Sequence, residues 1–209
     1  MKLMIIILCL LLCYLIWQYQ ELKKFEVTEY ELHSKKVTEE LRIVMISDLH
    51  AHVYGKDNEP LFSAVREKKP DLILIPGDMI VGKKPASYET AYRAFEGLVP
   101  VAPVYFSNGN HESKPARKNL PYSPDFFAYE KKVKKLGVHI LNNASETVRH
   151  GADEINIYFI FFKQVQKQIQ WSLKHLKFYR YSHFFLHRHF VYFNCSKKKW
   201  QVIFPAARG

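Results

Sequence analysis

The sequence predicts an α/β domain built on a largely parallel sheet, preceded by an apolar helix. Short apolar runs that suit buried strands alternate along residues 41–160 with amphipathic stretches that suit helices. Polar residues close the first three runs, at the edge of the sheet where α/β proteins bind ligands. Because no Gly/Ser-rich linker or internal repeat divides residues 25–158, we expect one domain there.

The individual elements follow from the spacing of apolar residues. Residues 25–32 alternate apolar and charged side chains, which predicts a half-buried strand. Pro60 is typical of a first helical position, so a helix is expected directly after it. We expect the further strands at 41–46, 71–75, 101–106, 138–141 and 155–160, and the helices at 60–69, 88–98 and 125–136.

Residues 3–17 are an uninterrupted apolar run after Lys2. An α-helix of that length is roughly 22 Å long, close to the lower limit for spanning a membrane. A cleaved signal peptide has the same pattern but needs small residues at its cleavage site, and none follow Trp17. We predict an uncleaved membrane anchor over residues 1–20, with a cleaved signal and a buried core helix as alternatives. A short N-terminal anchor of this kind favours a domain outside the cytoplasm.

Composition and charge exclude several classes of protein. Hydrophobic residues make up 48% of the chain, too many for a disordered protein, and three cysteines cannot form a disulfide scaffold. The formal net charge of +11 is unevenly placed, because residues 159–209 contain ten Lys and Arg but no Asp or Glu. The chain is therefore a nearly neutral body with a strongly basic C-terminal segment.

Candidate metal ligands follow three successive predicted strands. Asp48 and His50 close the first strand, Asp78 the second, and Asn110 and His111 the third. Any one of these could be an ordinary turn or helix cap. Together, the carboxylates, imidazoles and amide form a mixed nitrogen and oxygen ligand set, which suits Mn, Fe or Zn better than Mg or Ca.

These blocks resemble a known family. The motifs Asp48-Leu49-His50, Gly77-Asp78 and Gly109-Asn110-His111-Glu112 are similar to the first three blocks of the calcineurin-like metallophosphoesterases. The resemblance covers about residues 25–158 and, with the N-terminal anchor, points to bacterial membrane-associated phosphodiesterases of that family. It implies a two-sheet α/β sandwich that holds a dinuclear centre of two divalent metal ions.

The resemblance also implies metal roles for four residues. Asp48 and His50 would bind the first metal, Asp78 would bridge the two, and Asn110 would bind the second. A bridging hydroxide would then attack phosphorus in line.

Two further residues would act next to the metals. His111 would contact the scissile phosphate or protonate its leaving group, since an imidazole titrates near operating pH. Glu112 would orient His111, or alternatively be a solvated neighbour of it.

The sequence departs from the family after residue 158. The family completes its site with a Ser-His-Arg-Pro block and a Gly-His-x-His loop, and the sequence contains neither. The weak candidate replacements are His183, His187 and His189. We interpret residues 159–209 as a scrambled or out-of-frame segment; the alternatives are a basic, aromatic tail that binds anionic surfaces, or an unusual structural half.

The sequence therefore predicts a membrane-anchored, metal-dependent phosphoesterase of the phosphodiesterase or pyrophosphatase type. Its expected partners are a phosphate-ester substrate, which a lipid could carry, and the membrane, but not nucleic acid. With half of the ligand set absent, we expect weak metal binding and little turnover. The alternative is a non-catalytic, membrane-tethered remnant or binder that holds anionic lipid or nucleic acid through its basic tail.

Overall fold

The structure is a computed structural model, which describes residues 2–21, 23–30, 38–82, 84–117, 121–161, 182–186, 189–194 and 200–203. The described helices are α1 (Lys2–Glu21), α2 (Glu59–Glu67), α3 (Ala86–Leu98), α4 (Asn110–Ser113) and α5 (Ser123–Lys135). The described strands are β1 (Leu41–Met45), β2 (Leu72–Ile75), β3 (Val104–Phe106), β4 (His139–Ile140), β5 (Ala144–His150), β6 (Asp153–Phe161), β7 (Ser182–Leu186), β8 (His189–Asn194) and β9 (Trp200–Ile203).

The first sheet contains the strands that lead to the predicted site. Its strand order is β4-β3-β2-β1-β9, and every pair in it is parallel. Helices α2 and α3 connect successive strands of this sheet, as expected when parallel neighbours need a crossover. The prediction of an α/β domain with a parallel sheet is confirmed.

The second sheet is antiparallel, with the order β5-β6-β8-β7. Together the sheets form the two-sheet α/β arrangement that the motif resemblance implied. Strand β5 was not predicted, because its sequence Ala-Ser-Glu-Thr-Val-Arg-His is mostly polar and its side chains are largely exposed. Strand β6 runs past residue 158, β8 pairs beside it, and β9 pairs with β1 in the first sheet.

Two hydrophobic cores lie on opposite faces of the first sheet. Along β1 and just beyond it, Val44 and Ile46 pack on the helix side, whereas Ile43 and Met45 face the second sheet. This alternation follows from the two-residue period of a strand. A strand buried on both faces reads as a continuous apolar run, which is why the sequence pattern located β1 and β2 closely.

The strand predicted at 25–32 is wrong for residues 25–30, which form no regular structure; residues 31 and 32 lie outside the described residues. The alternation of apolar and charged side chains over residues 25–30 has a different cause, because Phe25 and Val27 pack against the helix-side core. No place for an added strand remains beside β1, which has β2 on one side and β9 on the other.

Helix α1 has no buried residue and is long and apolar enough to cross a membrane. A signal sequence near an N-terminus passes the same test of length and composition. Burial of α1 in a protein core, one of the alternatives above, is not what the structure shows.

We expect Ile157→Ala to destabilise the domain strongly, since this fully buried residue joins β6 to the first sheet. The free energy of unfolding should fall by about 2–5 kcal/mol, as for other large-to-small core substitutions. Denaturant unfolding of the full chain in detergent would measure the change. Lys131→Ala, at an exposed position of α5, is the control and should change it by less than about 0.5 kcal/mol. Equal effects of the two substitutions would contradict this packing.

Candidate metal centre

The loops that follow β1 and β2 are joined by backbone hydrogen bonds. The N–H of Asp48 donates to the Gly77 carbonyl at 3.2 Å, and the N–H of His50 donates to the Asp78 carbonyl at 2.9 Å. The N–H of Ala51 adds a third bond, to Met79, at 2.8 Å. Parallel strand pairing therefore continues into the loops and brings the first two motifs side by side.

Three predicted ligands meet at this edge of the sheet. One ligand atom from each of Asp48, His50 and Asp78 lies within 4.8 Å of the others. His50 Nε2 is 3.7 Å from Asp48 Oδ1, while the Ser47 hydroxyl donates to Asp48 Oδ2 at 2.6 Å. Ser47 was not singled out from the sequence, although its position directly before the motif is the signal that could have identified it.

The backbone at these ligands is strained. Asp48, His50 and Asp78 have φ values of 57°, 46° and 57°, in the left-handed region that costs most non-glycine residues roughly 1–2 kcal/mol and Asp or Asn less. Such strain persists only where the surrounding structure imposes it, and it is concentrated at functional sites. Here the loop-to-loop hydrogen bonds and the buried strands on either side impose it.

The third loop packs directly on the second. A Cβ atom added to Gly77 would lie 2.3 Å from the Gly109 nitrogen, and one added to Gly109 would lie 2.4 Å from Asp78 Oδ1. Any side chain at these two positions would separate the loops. The close approach also lets the N–H of His111 donate to Asp78 Oδ1 at 2.8 Å. The glycines of the second and third motifs are therefore required by packing.

Glu112 holds these two loops together and is 0% exposed. Its carboxylate accepts hydrogen bonds from the N–H groups of Asp78 at 2.9 Å, Met79 at 2.8 Å and Ile80 at 3.2 Å, and from that of Gly109 at 2.9 Å. Burial, with the neighbouring Asp78 carboxylate, raises the pKa of Glu112 to about 7, while the amide donors act in the opposite direction.

The contacts of Glu112 correct both sequence-based expectations for this residue. It is not a solvated neighbour, and its hydrogen bonds go to backbone amides rather than to His111. A carboxylate three residues after a glycine gave a signal for a capping interaction in the sequence. The sequence gave no signal for the contact between Glu112 and the second loop, because this contact joins residues more than 30 positions apart.

His111 is oriented by a backbone group instead. The N–H of Gly82 donates to His111 Nδ1 at 3.1 Å, so the neutral ring carries its proton on Nε2. The His111 ring lies edge-on to that of His50, with 4.6 Å between centroids. Burial lowers the pKa of His111, an effect that Asp78 partly offsets. Gly82 was missed from the sequence, since a loop glycine without a motif gives no functional signal.

Asn110 and the later histidines complete the set of candidates. Asn110 is the first residue of α4 and directly precedes His111, whose N–H bonds to Asp78. The backbone of β7 contains His183 and that of β8 contains His189, whereas His187 lies outside the described residues. The roles of all these residues stay predictions.

The donor set of this cluster fits a divalent cation. Asp48 and Asp78 place two carboxylates close together, and Asp78 is only 4% exposed, so like charges meet where one of them is largely shielded from water. A cation would remove that repulsion. Two carboxylates and an imidazole form the nitrogen and oxygen set that Mn, Fe and Zn accept.

One comparison with known proteins matches the chain. A family model described as calcineurin-like phosphoesterase matches residues 41–204, from the start of β1 to just past the end of β9. A search among curated proteins gives no match. The matched range extends beyond the motif resemblance, which ends near residue 158. The division of the chain at that residue stays a prediction.

We expect Glu112→Gln to loosen the second and third loops, because an amide NH₂ would face backbone N–H donors in a buried place. The free energy of unfolding should fall by roughly 1.5–3 kcal/mol, given what buried hydrogen bonds to charged groups contribute. Mn²⁺ should bind about 10–100-fold more weakly, as when other groups that support metal ligands are lost. Denaturant unfolding and calorimetric titration would measure the two effects. Glu96→Gln, exposed on α3, should change neither quantity; unchanged Mn²⁺ affinity in Glu112→Gln would contradict the assignment.

Proposed function

The chain belongs to the calcineurin-like phosphoesterase family, and we propose that it hydrolyses phosphodiester or pyrophosphate bonds with the help of two divalent cations. The observation that carries the proposal is the convergence of Asp48, His50 and Asp78 at the carboxyl edge of the parallel sheet. The cluster has the ligand chemistry that a cation needs, and strained backbone accompanies it.

In this proposal Asp48 and His50 hold the first cation, Asp78 serves both, and Asn110 adds an amide oxygen to the second. Asp78 suits a shared position, because its burial and its bond from the His111 N–H fix its orientation. Mn, Fe or Zn would serve. When bound, such cations neutralise phosphate oxygens and make water more acidic, which prepares it to attack phosphorus.

His111 contacts the substrate in this mechanism. Its Nδ1 is engaged by the Gly82 N–H, so Nε2 is the nitrogen that carries the proton of the neutral ring. A proton at Nε2 can be donated to the oxygen that leaves phosphorus. Glu112 is a positioning residue, since its carboxylate bonds to backbone amides of the loops that carry Asp78 and His111.

We also propose that turnover is slow. The sequence contains no Gly-His-x-His motif, and within the described ranges the one group of three close His, Cys, Asp or Glu ligands is Asp48, His50 and Asp78. The second cation would therefore be held weakly. A non-catalytic binder that uses the basic segment 159–209 is the rival proposal, and salt-sensitive binding to anionic vesicles that is lost on deleting this segment would favour it.

For localisation we propose a single-pass anchor, α1, with the domain on the extracytoplasmic side. The length and apolar character of α1, and the fact that none of its residues is buried, support the anchor. A phosphate ester carried by a lipid is then the substrate type that the anchor favours.

Asp78→Asn should abolish most Mn²⁺ binding, because it removes a ligand charge while asparagine tolerates the same left-handed backbone. We expect affinity to fall at least about 100-fold, measured by calorimetric titration of the full chain in detergent. Asp57→Asn is the matched control, since Asp57 is also left-handed but exposed in the preceding loop. Equal Mn²⁺ affinity in both variants would contradict the proposed centre. Hydrolysis of an aryl phosphodiester by the native chain at ordinary enzyme rates would contradict slow turnover.

His111→Ala should lower kcat for aryl phosphodiester hydrolysis by about 10²–10⁴-fold, as for a lost proton donor. Mn²⁺ affinity should change little, since His111 is not among the proposed ligands. The loss should shrink for a substrate whose leaving group needs no proton, which a merely structural role would not produce. His139→Ala, at an exposed position, is the control. A uniform loss over all leaving groups would refute the assigned role.

A further inference from the structure

The segment that joins α1 to the domain, residues 23–30, is here called the strap. Its first residues continue the end of the helix, because the N–H groups of Lys23 and Lys24 donate to the carbonyls of Gln20 and Glu21 at 3.2 and 3.1 Å. The Lys24 ammonium also pairs with the Glu21 carboxylate at 3.2 Å. The chain thus leaves α1 in a defined direction.

The rest of the strap is packed on the domain. Phe25 meets the ring of Tyr54 edge-on, with 5.0 Å between centroids, and Val27 joins it against the helix-side core. Glu29 forms an ion pair with Lys68, just past the end of α2. Phe25 directly follows Lys24, so three residues, of which residue 22 lies outside the described ranges, separate the end of α1 from the first packed side chain of the strap.

The strap also lies against the loop that carries two candidate ligands. Tyr54, which contacts Phe25 of the strap, is 3% exposed. Its backbone N–H donates to Asn58 Oδ1 at 2.8 Å. The Tyr54 ring packs edge-on against that of His52, with 4.5 Å between centroids. His52 is two residues from His50 in the same loop. A continuous set of contacts therefore joins the strap to the loop of the candidate metal centre.

The C-terminal end of α1 has the residues of a membrane interface. Trp17 ends the apolar run and Tyr19 follows it, and the Lys23 ammonium lies 4.0 Å from the Tyr19 ring centroid. Aromatic rings followed by lysines are typical of the headgroup level of a bilayer. Phe25 is four residues beyond Glu21, a distance of at most roughly 14 Å even for an extended chain. The domain is therefore docked close to that level.

We propose that the strap holds the loop of Asp48 and His50 at the membrane surface, and that the substrate is a phosphate ester carried by a lipid in that membrane. The inference rests on the proposed function and on α1 remaining attached. A fixed, short distance raises the effective concentration of a substrate confined to the same bilayer. It gives no such advantage for a substrate dissolved in water.

Fluorescence energy transfer tests the geometry without requiring activity. The full chain, with its three cysteines replaced, is placed in phosphatidylcholine vesicles that contain an acceptor-labelled lipid headgroup. A donor is attached through Val53→Cys, exposed beside Tyr54, or through Arg149→Cys, exposed on β5. Strand β5 belongs to the second sheet, which covers the face of the first sheet opposite to the core that the strap packs on. We expect strong transfer from position 53 and clearly weaker transfer from position 149. Equal transfer from both positions would overturn the proposal.

Lengthening the strap tests its role. An insertion of about ten Gly and Ser residues between Lys24 and Phe25 adds roughly 17 Å of average reach, and transfer from position 53 should fall by about half or more. The double variant Phe25→Ala with Val27→Ala, which removes the packing but keeps the length, should show a smaller loss in the same direction. Unchanged transfer in both variants would overturn the proposal.

Hydrolysis separates this proposal from the function on which it rests. The probes are an aryl phosphodiester in water and a fluorescent phosphate ester of a lipid in phosphatidylcholine vesicles. The insertion should lower the rate on the lipid by about tenfold and leave the rate on the soluble ester unchanged. If the insertion variant kept the full rate on both the lipid ester and the soluble ester, the proposed lipid substrate would be wrong. A native chain that hydrolyses neither probe would contradict the proposed function, and energy transfer would still decide the geometry.

Discussion

The carboxylate of Glu112 is the group on which the candidate site depends. It accepts hydrogen bonds from four backbone amides on two loops, which also approach each other at two glycines too closely for side chains. A buried charge is tolerated only when its hydrogen bonds are made, so the loops and the carboxylate require one another. The placement of Asp78 and His111 follows from that arrangement, because both lie on the loops that Glu112 joins.

The two cores provide the rigidity that the strained loops need. Strands β1 and β2 are buried on both faces, so their ends cannot shift without opening a core on one side or the other. Left-handed backbone at Asp48, His50 and Asp78 is therefore held by packing that lies several residues away. This is the usual relation between a strained site and a well-packed scaffold.

The strap gives the N-terminal helix a structural relation to the site. Helix α1 by itself indicates only that the chain has a segment able to cross a membrane or direct secretion. The packing of Phe25 on Tyr54 adds that the domain is held directly at the end of that helix, beside the loop of His50. If the proposed lipid-borne substrate is right, this contact would make the anchor part of substrate selection as well as of localisation.

The sequence alone determined the α/β class and the approximate bounds of β1, β2 and the main helices, because apolar periodicity is a local property. It also determined the grouping of Asp48, His50 and Asp78, because neighbouring parallel strands end at the same edge of a sheet. Only the tertiary structure decided the hydrogen-bond partners of Glu112, the orientation of His111 by Gly82 and the packing of residues 25–30. Each depends on contacts between segments distant in sequence, such as the 34 positions between Asp78 and Glu112. Local sequence patterns do not predict which backbone groups, distant in sequence, a buried side chain will contact.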